Sequence, residues 1–492
     1  MKKQKKSLRF DATRWFVPLS CAAIGVTRLS VVQAADIQVV PALQVMETYV
    51  DNILLAPPGQ PKDSEMITQI IPSLGITADT NRLTGALNYS AQGLLFNEHS
   101  ENSTVYHQGA LVGQWRVFRD LFYVDTNARY TQQSIDPAEA DNPENFLLTN
   151  NLTSRLSGAI APTLSHDFGS HVTGTLRQTF GVTKFTDSDQ DTIELQDSNT
   201  EVSTLQVGST ERESQFVWDA VGKKSTVDFD IAPTYKYDQA FGAVAVETLP
   251  SVWWLGTVGL ESDLIDSTSE GGLDETFWFT GFRWAPNQNN QLQVQFGHRF
   301  FGKAYNAEWT RTGRIMELVL RYTEEPTTDS ESSEIDEFIP GRIRRLEPGE
   351  IDLDSFETDI IRATFQPYVR KALDAEVVFT GRVSNLRVRG YQTRREYLDN
   401  PLLPVQQDDD EIGVEVQLDR RLSAMSTIVA AYDLEDASLR QGGDFRRVGY
   451  NISYLRSFSS ELQGTVSATY REGTGNGPYD VSYVSLGLRK SW

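Results

Sequence analysis

The chain is poor in cysteine, histidine and methionine, and it has no long hydrophobic run. Its 492 residues include one cysteine, five histidines and five methionines, which argues against a disulfide scaffold, a thiolate metal centre or a histidine-rich metal site. After the N-terminal segment, no stretch approaches the roughly 18 consecutive apolar residues that a membrane-spanning helix needs. Basic residues are also scarce, because 45 of them face 67 acidic residues at a formal net charge of −22. This charge argues against a nucleic-acid partner.

The N-terminus has the parts of a secretory signal peptide. A basic stretch precedes a short apolar stretch over 15–26, and Val32 and Ala34 precede a cleavage point at Ala35. We therefore expect residues 1–34 to be removed and 35–492 to form a single domain; an uncleaved anchor and lipidation at Cys21 are the alternatives. Without 1–34, the 45 basic and 67 acidic residues fall to 38 and 66, a formal charge of −28 with no cysteine. Such a chain suits export through an oxidising periplasm, so we expect a Gram-negative source.

Alternation of apolar and polar residues organises the mature chain. Over 462–471 apolar or small residues occupy the even positions and polar residues the odd ones, and similar alternation occurs over 172–182, 291–296, 412–419 and 447–454. This period of two is typical of β-strands with one apolar and one polar face. It also explains a mean hydropathy of only −0.37, because half of each strand is polar.

The connections between these segments alternate between short and long. Short turns are predicted near 80–82, 118–120, 167–169, 221–223, 286–289, 312–313, 420–422 and 457–459. Longer acidic or Gly/Pro-rich connections are predicted over 52–64, 135–145, 187–199, 265–272, 324–353, 390–409, 438–443 and 473–478. A soluble sandwich also alternates, but short periplasmic turns against long extracellular loops are typical of a transmembrane antiparallel up-and-down β-barrel, here of about 22 strands (range about 18–24).

The aromatic residues support the same architecture. Leu486, Leu488 and Trp492 alternate at the C-terminus and resemble the assembly signal of bacterial barrels, although such signals usually end in Phe; the barrel-assembly machinery is therefore an expected partner. Many tryptophans lie near predicted strand ends, where amphipathic rings suit a membrane interface. They include Trp115, Trp218, Trp253, Trp254, Trp278, Trp284 and Trp309.

Signatures of catalysis and metal binding are weak. The chain lacks a Gly-x-Ser-x-Gly elbow, a His-Glu-x-x-His pair and a Walker-type loop, and its histidines (His99, His107, His166, His171 and His298) are scattered. We therefore predict no enzyme, no catalytic residue and no cofactor. Asp187, Asp189 and Asp191 resemble the opening of a calcium loop, but Thr192 stands where glycine is needed and Ser198 where the closing Glu is needed. An acidic solvated loop is the simpler interpretation, here and at 408–411.

Charged residues on the polar strand faces are candidates for pore lining, because charge facing a lumen is tolerated only where the lumen is wet. These candidates are Arg177, Arg299, Arg387, Arg389, Glu415, Asp419, Arg447 and Arg471; ion-paired wall packing without transport is the alternative. A barrel of about 22 strands is too wide for its own side chains to fill, and pairing from Ile37 onward leaves no room for an N-terminal plug. We therefore ask whether the longest connection, 324–353, folds inward and constricts the pore or stays outside as a mobile extracellular loop.

Two blocks carry a family resemblance. Residues 35–43 with 47–53, and residues 281–286 with 297–302, resemble the outer-membrane β-barrel family associated with PEP-CTERM and exosortase systems, whose molecular function is not established. The resemblance implies the outer membrane as location, contact with lipid and lipopolysaccharide, and export components for exopolysaccharide or sorted surface proteins as partners. It favours a pore or secretion conduit. A non-conducting structural or adhesive barrel, with acidic loops that bind divalent cations and matrix polysaccharide, is the alternative.

Overall fold

The computed structural model describes residues 35–118, 121–136, 138–140, 142–186, 197–209, 215–230, 234–262, 275–328, 367–397, 408–439, 443–475 and 477–492. These residues form one antiparallel sheet of 22 strands. The first eleven are β1 Ala35–Val50, β2 Glu65–Thr80, β3 Leu83–Phe96, β4 Thr104–Phe118, β5 Phe122–Gln133, β6 Thr153–Phe168, β7 Val172–Thr186, β8 Ser198–Ser209, β9 Phe216–Phe229, β10 Tyr235–Leu249 and β11 Val252–Glu261. The others are β12 Glu275–Asn287, β13 Asn290–Arg299, β14 Gly302–Thr312, β15 Met316–Thr327, β16 Tyr368–Thr380, β17 Ser384–Tyr397, β18 Asp409–Ser423, β19 Ser426–Leu439, β20 Gly443–Ser457, β21 Leu462–Thr474 and β22 Tyr479–Ser491.

The sheet closes on itself. Every strand pairs with its neighbours in sequence, and β1 also pairs antiparallel with β22, from Ala42↔Ser491 to Val50↔Tyr483. Closure leaves no free sheet edge, which a lipid environment requires because it offers no water to unpaired backbone groups. The predicted antiparallel up-and-down barrel of 22 strands is confirmed. No helix among the described residues is long and apolar enough to cross a membrane.

The connections differ between the two ends of the barrel. At one end, which we call the turn rim, strands are joined by short turns such as 81–82 and 288–289; at the other, the loop rim, long connections such as 51–64 and 134–152 prevail. The predicted turns near 80–82, 167–169, 286–289, 312–313 and 457–459 lie at the turn rim. Phe118 of β4 and Phe122 of β5 pair directly, and residues 119–120 between them lie outside the described residues.

Several predicted boundaries are wrong. Residues 221–223 lie inside β9 rather than in a turn, and 420–422 lie inside β18, which turns only after Ser423. The predicted connection 390–409 begins too early because β17 continues to Tyr397. Glu324 and Glu325 belong to β15. In each case the hydrogen-bonded register with the neighbouring strands extends pairing through glycines or charges that would end an isolated strand.

The outer face of the barrel is apolar. Neighbouring residues across the ladder share a face, so Val45 on β1, Leu488 on β22 and Ile70 on β2 form one outward row. Large apolar side chains in such positions are exposed, as for Leu486 at 61% and Phe296 at 51%. A surface of this kind is stable only against lipid.

Aromatic side chains concentrate on the outer face at the turn rim. Trp115 and Trp284 lie three residues before the ends of β4 and β12, and Trp254 lies near the start of β11. Exposed aromatic side chains at this rim also include Trp309, Phe118, Phe168, Phe379, Phe458 and Trp492. Trp253 is an exception because its ring lies on the inner face beneath Arg283, at 4.9 Å. A closed barrel with an apolar outer band and an aromatic belt is an outer-membrane protein.

The contact between β1 and β22 is reinforced by the first long connection. Asp51 exchanges hydrogen bonds with Ser482, and the side chain of Asn52 donates to the backbone oxygens of Ala56 and Asp480, both at 2.9 Å. Asn52 is fully buried. Lys62 contacts both Asp51 and Asp480, and its hydrogen bond to Asp480 raises its pKa. Residues 47–53, which carry the family resemblance, therefore help to close the barrel.

Glycines in the second resemblance block allow close strand approach. A Cβ atom on Gly281 would lie 2.0 Å from the carbonyl oxygen of Val294, and one on Gly297 would lie 1.9 Å from that of Trp278. Any larger residue at either position would force β12 and β13 apart.

Candidate functional site

The connection between β5 and β6, residues 134–152, folds into the barrel; we call it the inward loop. Its described residues exclude 137 and 141. Phe146 and Leu147 are buried against inward-facing residues of four strands, and the ring of Phe146 meets that of Tyr483 on β22 edge-on at 5.1 Å. The other wall residues of this cluster are Val50, Ile67, Leu94, Phe96, Tyr479 and Val481. An apolar anchor of this kind fixes the loop inside the lumen.

The inward loop crosses toward a second part of the wall. Ala138 packs against Ala437 of β19 and Phe445 of β20, and Arg447 Nη2 donates to the backbone oxygen of Glu139 at 2.6 Å. Burial, and to a lesser extent the nearby charge of Asp136, raise the pKa of the Glu139 carboxyl. The loop therefore contacts the wall at β22 and β1–β3 on one side and at β19–β20 on the other, and it narrows the loop rim of the lumen.

Three asparagines hold the inward loop in shape. Asn142 pairs through its side chain with the backbone of Leu147, at 2.8 and 3.0 Å. Likewise, Asn151 Oδ1 accepts a hydrogen bond from the backbone N–H of Asp136 at 2.6 Å, and Asn151 Nδ2 donates one to the Asp136 carbonyl oxygen at 2.8 Å. Asn145 adopts a positive φ of 61°, which asparagine tolerates better than most residues. All three asparagines are buried. Their hydrogen bonds to other protein groups take the place of the water that burial removes.

A chain of hydrogen bonds connects the inward loop to the barrel closure. Asn145 donates to Gln92 Oε1 at 3.1 Å, Gln92 to Gln69 Oε1 at 3.0 Å, and Gln69 to Thr48 Oγ1 at 3.1 Å. Thr48 in turn shares a hydrogen bond of 2.9 Å with Ser485 on β22. The position of the loop and the pairing of β1 with β22 are therefore structurally linked.

The sequence suggested a different connection as the candidate constriction and left a mobile extracellular loop as the alternative for it. The inward loop had been predicted only as an ordinary long connection over 135–145, whereas 324–353 was the candidate for inward folding. Residues 329–366 lie outside the described residues, so the constriction by that segment stays a prediction. A signal for the inward loop was present, because Phe146-Leu147-Leu148 interrupts an otherwise polar connection.

All eight candidate pore-lining residues project from the inner face. They are Arg177 on β7, Arg299 on β13, Arg387 and Arg389 on β17, Glu415 and Asp419 on β18, Arg447 on β20 and Arg471 on β21. Their role in permeation stays a prediction.

Ion pairs join many of these charges. Arg389 bridges three strands, with Nε 2.7 Å from Asp374 Oδ2 on β16 and Nη1 3.5 Å from Glu415 Oε1 on β18. Arg387 Nε lies 3.3 Å from Glu376 Oε1, and Arg447 Nη1 lies 3.5 Å from Glu435 Oε2. The wall over β16–β20 therefore presents alternating charges to the lumen.

Arg299 departs from the prediction of a wetted position, because it is only 7% exposed. Its guanidinium lies 2.7 Å from Glu261 Oε2 and donates to the hydroxyl of Tyr237, which itself donates to Glu261 at 2.9 Å. The backbone N–H of Phe300 donates to the other carboxylate oxygen of Glu261 at 2.9 Å. Arg299 thus belongs to a buried pair that holds β10, β11 and β13 together at the loop rim.

The wall over β1–β4 has different chemistry. From Gln38 to Val50 on β1, and between Glu65 and Asp79 on β2, the inward-facing positions carry no Lys, Arg, His, Asp or Glu. The same holds for the inward-facing positions of β3 and for those of β4 before Arg116. The polar groups at these positions are amides and hydroxyls, interspersed with apolar side chains. The lumen therefore has a neutral wall opposite the inward loop and a charged wall elsewhere.

The sequence offered three aspartates as weak candidates for binding a metal ion. Asp187, Asp189 and Asp191 lie outside the described residues. In the part of the chain that the structure describes, no group of three or more His, Cys, Asp or Glu side chains could hold a metal ion. In the acidic run 408–411, Asp408 pairs with Arg394 at 2.7 Å and Asp409 accepts a hydrogen bond from Tyr397 at 2.7 Å.

The histidines lie in separate structural contacts. His166 and His171 lie on one hairpin, as predicted from the turn between them, and the His166 ring meets Phe168 edge-on at 4.8 Å. His107 Nδ1 lies 2.7 Å from the Tyr89 hydroxyl on the outer face.

His99 anchors the connection 97–103 to the buried carboxylate of Glu65. Its Nδ1 lies 2.8 Å from Glu65 Oε2, and its Nε2 lies 3.4 Å from Asp63 Oδ2. The hydrogen bond to Glu65, chiefly, and the charge of Asp63 raise the pKa of His99, although desolvation opposes them. A raised pKa stabilises the fold fully below the ordinary histidine pKa, and this contribution is lost as the pH rises through the raised value.

We expect the connection 97–103 to loosen as the pH rises past the raised pKa of His99. Hydrogen–deuterium exchange of this segment, corrected for intrinsic exchange, should be slow at pH 5.5 and faster at pH 8.5. The His99→Gln variant serves as the control, since its exchange should depend little on pH. Equal pH dependence in both proteins would contradict the role of His99.

Comparisons with known proteins give structural matches only. A scan of protein-family models and a search of curated proteins return no match. The siderophore receptor PirA from Pseudomonas aeruginosa is similar at 12% identity and a TM-score of 0.46, over 92% of this chain and 80% of that chain. An anion-selective porin from Comamonas acidovorans is similar at 9% identity and a TM-score of 0.33, over 93% of this chain and 100% of that chain. OpdK from P. aeruginosa is similar at 6% identity and a TM-score of 0.36, over 93% of this chain and 99% of that chain. At these identities, the function has to be argued from this chain's own residues.

Proposed function

We propose that this protein is an outer-membrane pore or secretion conduit whose lumen is narrowed by the inward loop. The observation that carries the proposal is the anchoring of residues 138–148 on inward-facing strand positions, at Tyr483 on one side and Phe445 on the other. Large barrels need such a constriction to be selective, because the wall alone leaves a wide interior. Passage would be passive, and no residue is assigned a catalytic role.

The charged wall supports passage rather than a sealed interior. Arg387 and Glu415 keep 41% and 47% of their side-chain surface exposed, which is costly in an apolar interior but not beside water. Exopolysaccharide and sorted surface proteins are the candidate cargoes that the family resemblance implies. Lipid, lipopolysaccharide, the barrel-assembly machinery and export components are the corresponding partners in the proposal.

Conductance in a planar lipid bilayer tests the proposal. The mature chain, refolded and checked by heat-modifiable migration, should give discrete current steps above background. The steps should persist after removal of divalent cations. Correctly folded protein that produces no current would contradict the pore and favour the non-conducting adhesive barrel, which should instead bind matrix polysaccharide through its loops in a cation-dependent manner.

A further inference from the structure

A cavity of about 210 Å³ lies between the neutral wall and the inward loop. Gln44, Asn88, Ser90 and Gln108 line it from β1, β3 and β4, and residues 143–145 of the inward loop cover it. Its volume is below the roughly 300–1,000 Å³ of pockets that enclose drug-sized ligands. The cavity therefore suits a small ligand or one unit of a longer chain.

Two polar side chains in this cavity lack protein partners. Asn88 and Ser90 are each only 5% exposed, yet their side chains make no hydrogen bond within the described residues. Neighbouring Gln69 and Gln92 are in a different situation, since both are engaged in the hydrogen-bond chain to the inward loop. The polar atoms of Asn88 and Ser90 are not among the described side-chain nitrogen and oxygen atoms that are closed off from solvent without a partner, and both residues line the cavity, so these atoms are accessible from it. Asn88 and Ser90 therefore offer an amide and a hydroxyl to whatever enters the cavity.

The chemistry of the lining defines the ligand. Amides and hydroxyls both donate and accept hydrogen bonds, as the hydroxyl groups of a sugar do. Glu144 on the loop and Arg489 on β22 are the charged residues of the lining, and their opposite signs favour neither an anion nor a cation. An ionised ligand would lose hydration here and would meet a charge of its own sign as well as the opposite one, because Glu144 and Arg489 both line the cavity.

We propose that this cavity is a binding subsite for one unit of an uncharged, hydroxyl-rich chain, a neutral oligosaccharide. The inference rests on the proposed conduit, since it assigns a cargo class to the narrowed part of the lumen. One sugar unit occupies the cavity beside residues 143–145 of the inward loop, and Asn88 and Ser90 hydrogen-bond its hydroxyls.

Calorimetric titration of the full mature protein in detergent tests the subsite. The probes are neutral trisaccharides of three linkages (maltotriose, cellotriose and laminaritriose) and anionic tri-galacturonate. At least one neutral probe should bind, and tri-galacturonate should bind at least about tenfold more weakly. The Asn88→Leu and Ser90→Val variants should each weaken neutral binding about fivefold to tenfold, because each loses a hydrogen bond and leaves a ligand hydroxyl unpaired.

The matched control is Gln293→Leu, which removes an inward-facing amide from β13, away from the cavity. Its affinity for the neutral probe should equal that of the wild type. Asn88→Ala or Ser90→Ala replaces the corresponding variant if that variant fails to fold. Absence of binding by every neutral probe, equal binding of tri-galacturonate, or unchanged affinity in the Asn88 and Ser90 variants would overturn the subsite. Conductance is measured separately, so a pore without sugar binding refutes only the subsite, whereas sugar binding without current refutes the conduit.

Discussion

Replacing residues 135–151 by a short Gly-Ser linker is expected to raise single-channel conductance by at least about twofold, because the inward loop occupies part of the lumen cross-section. The replacement is sterically simple. Gln133 and Thr153 are directly paired across β5 and β6, so a tight hairpin can close the gap without strain on either strand. Planar-bilayer recording of the variant and the wild type under the same salt gives the comparison.

A second deletion controls for the effect of shortening a loop. Residues 57–60 in the first long connection are exposed, and their removal should leave conductance unchanged.

Substituting Phe146 and Leu147 by serine gives an intermediate case, since the loop keeps its length but loses its apolar anchor. We expect larger current fluctuations in that variant. If the linker variant conducts no better than the wild type, the inward loop does not limit the current.

The barrel could be predicted from the sequence because its driving pattern is local. Alternation places apolar residues outward on every strand, and the asymmetry of the connections distinguishes a membrane barrel from a sandwich. The errors occurred where local signals conflicted with pairing. Val221-Gly222-Lys223 suggested a turn, yet β9 pairs through this region with both β8 and β10. Conversely, Phe300 and Phe301 connect β13 to β14 although they carry no turn signal.

The candidate site was less predictable because it depends on contacts between distant segments. Arg389 and Glu415 could be placed on the inner face from periodicity alone. The position of Phe146 could not, because its partners lie on β1–β3 and β22, far from it in sequence. Periodicity also cannot distinguish a wetted charge from a buried one, as Arg299 illustrates. Closure of the sheet determines both where Phe146 finds its partners and how deeply Arg299 is buried.

Removing the carboxylate of Glu261 is expected to destabilise the barrel by about 3–5 kcal/mol, because it leaves the buried charge of Arg299 without a counter-ion. Glu261 is completely buried, and it accepts hydrogen bonds from Arg299, Tyr237 and the backbone of Phe300. The Glu261→Ala variant should therefore unfold at lower denaturant concentration. Equilibrium unfolding in lipid vesicles, followed by tryptophan fluorescence, measures the free-energy change.

The pair Arg387–Glu376 provides a matched control on the same inner face. Its side chains are 41% and 29% exposed and 3.3 Å apart, so Glu376→Ala should cost no more than about 1 kcal/mol. Replacing Glu261 and Arg299 together by methionine should recover much of the loss, since no buried charge then remains unpaired. Similar costs for Glu261→Ala and Glu376→Ala would show that water reaches Arg299 and that the loop rim is open around it. A large cost at Glu261 alone would show that this part of the rim is a rigid support that excludes water from the buried pair.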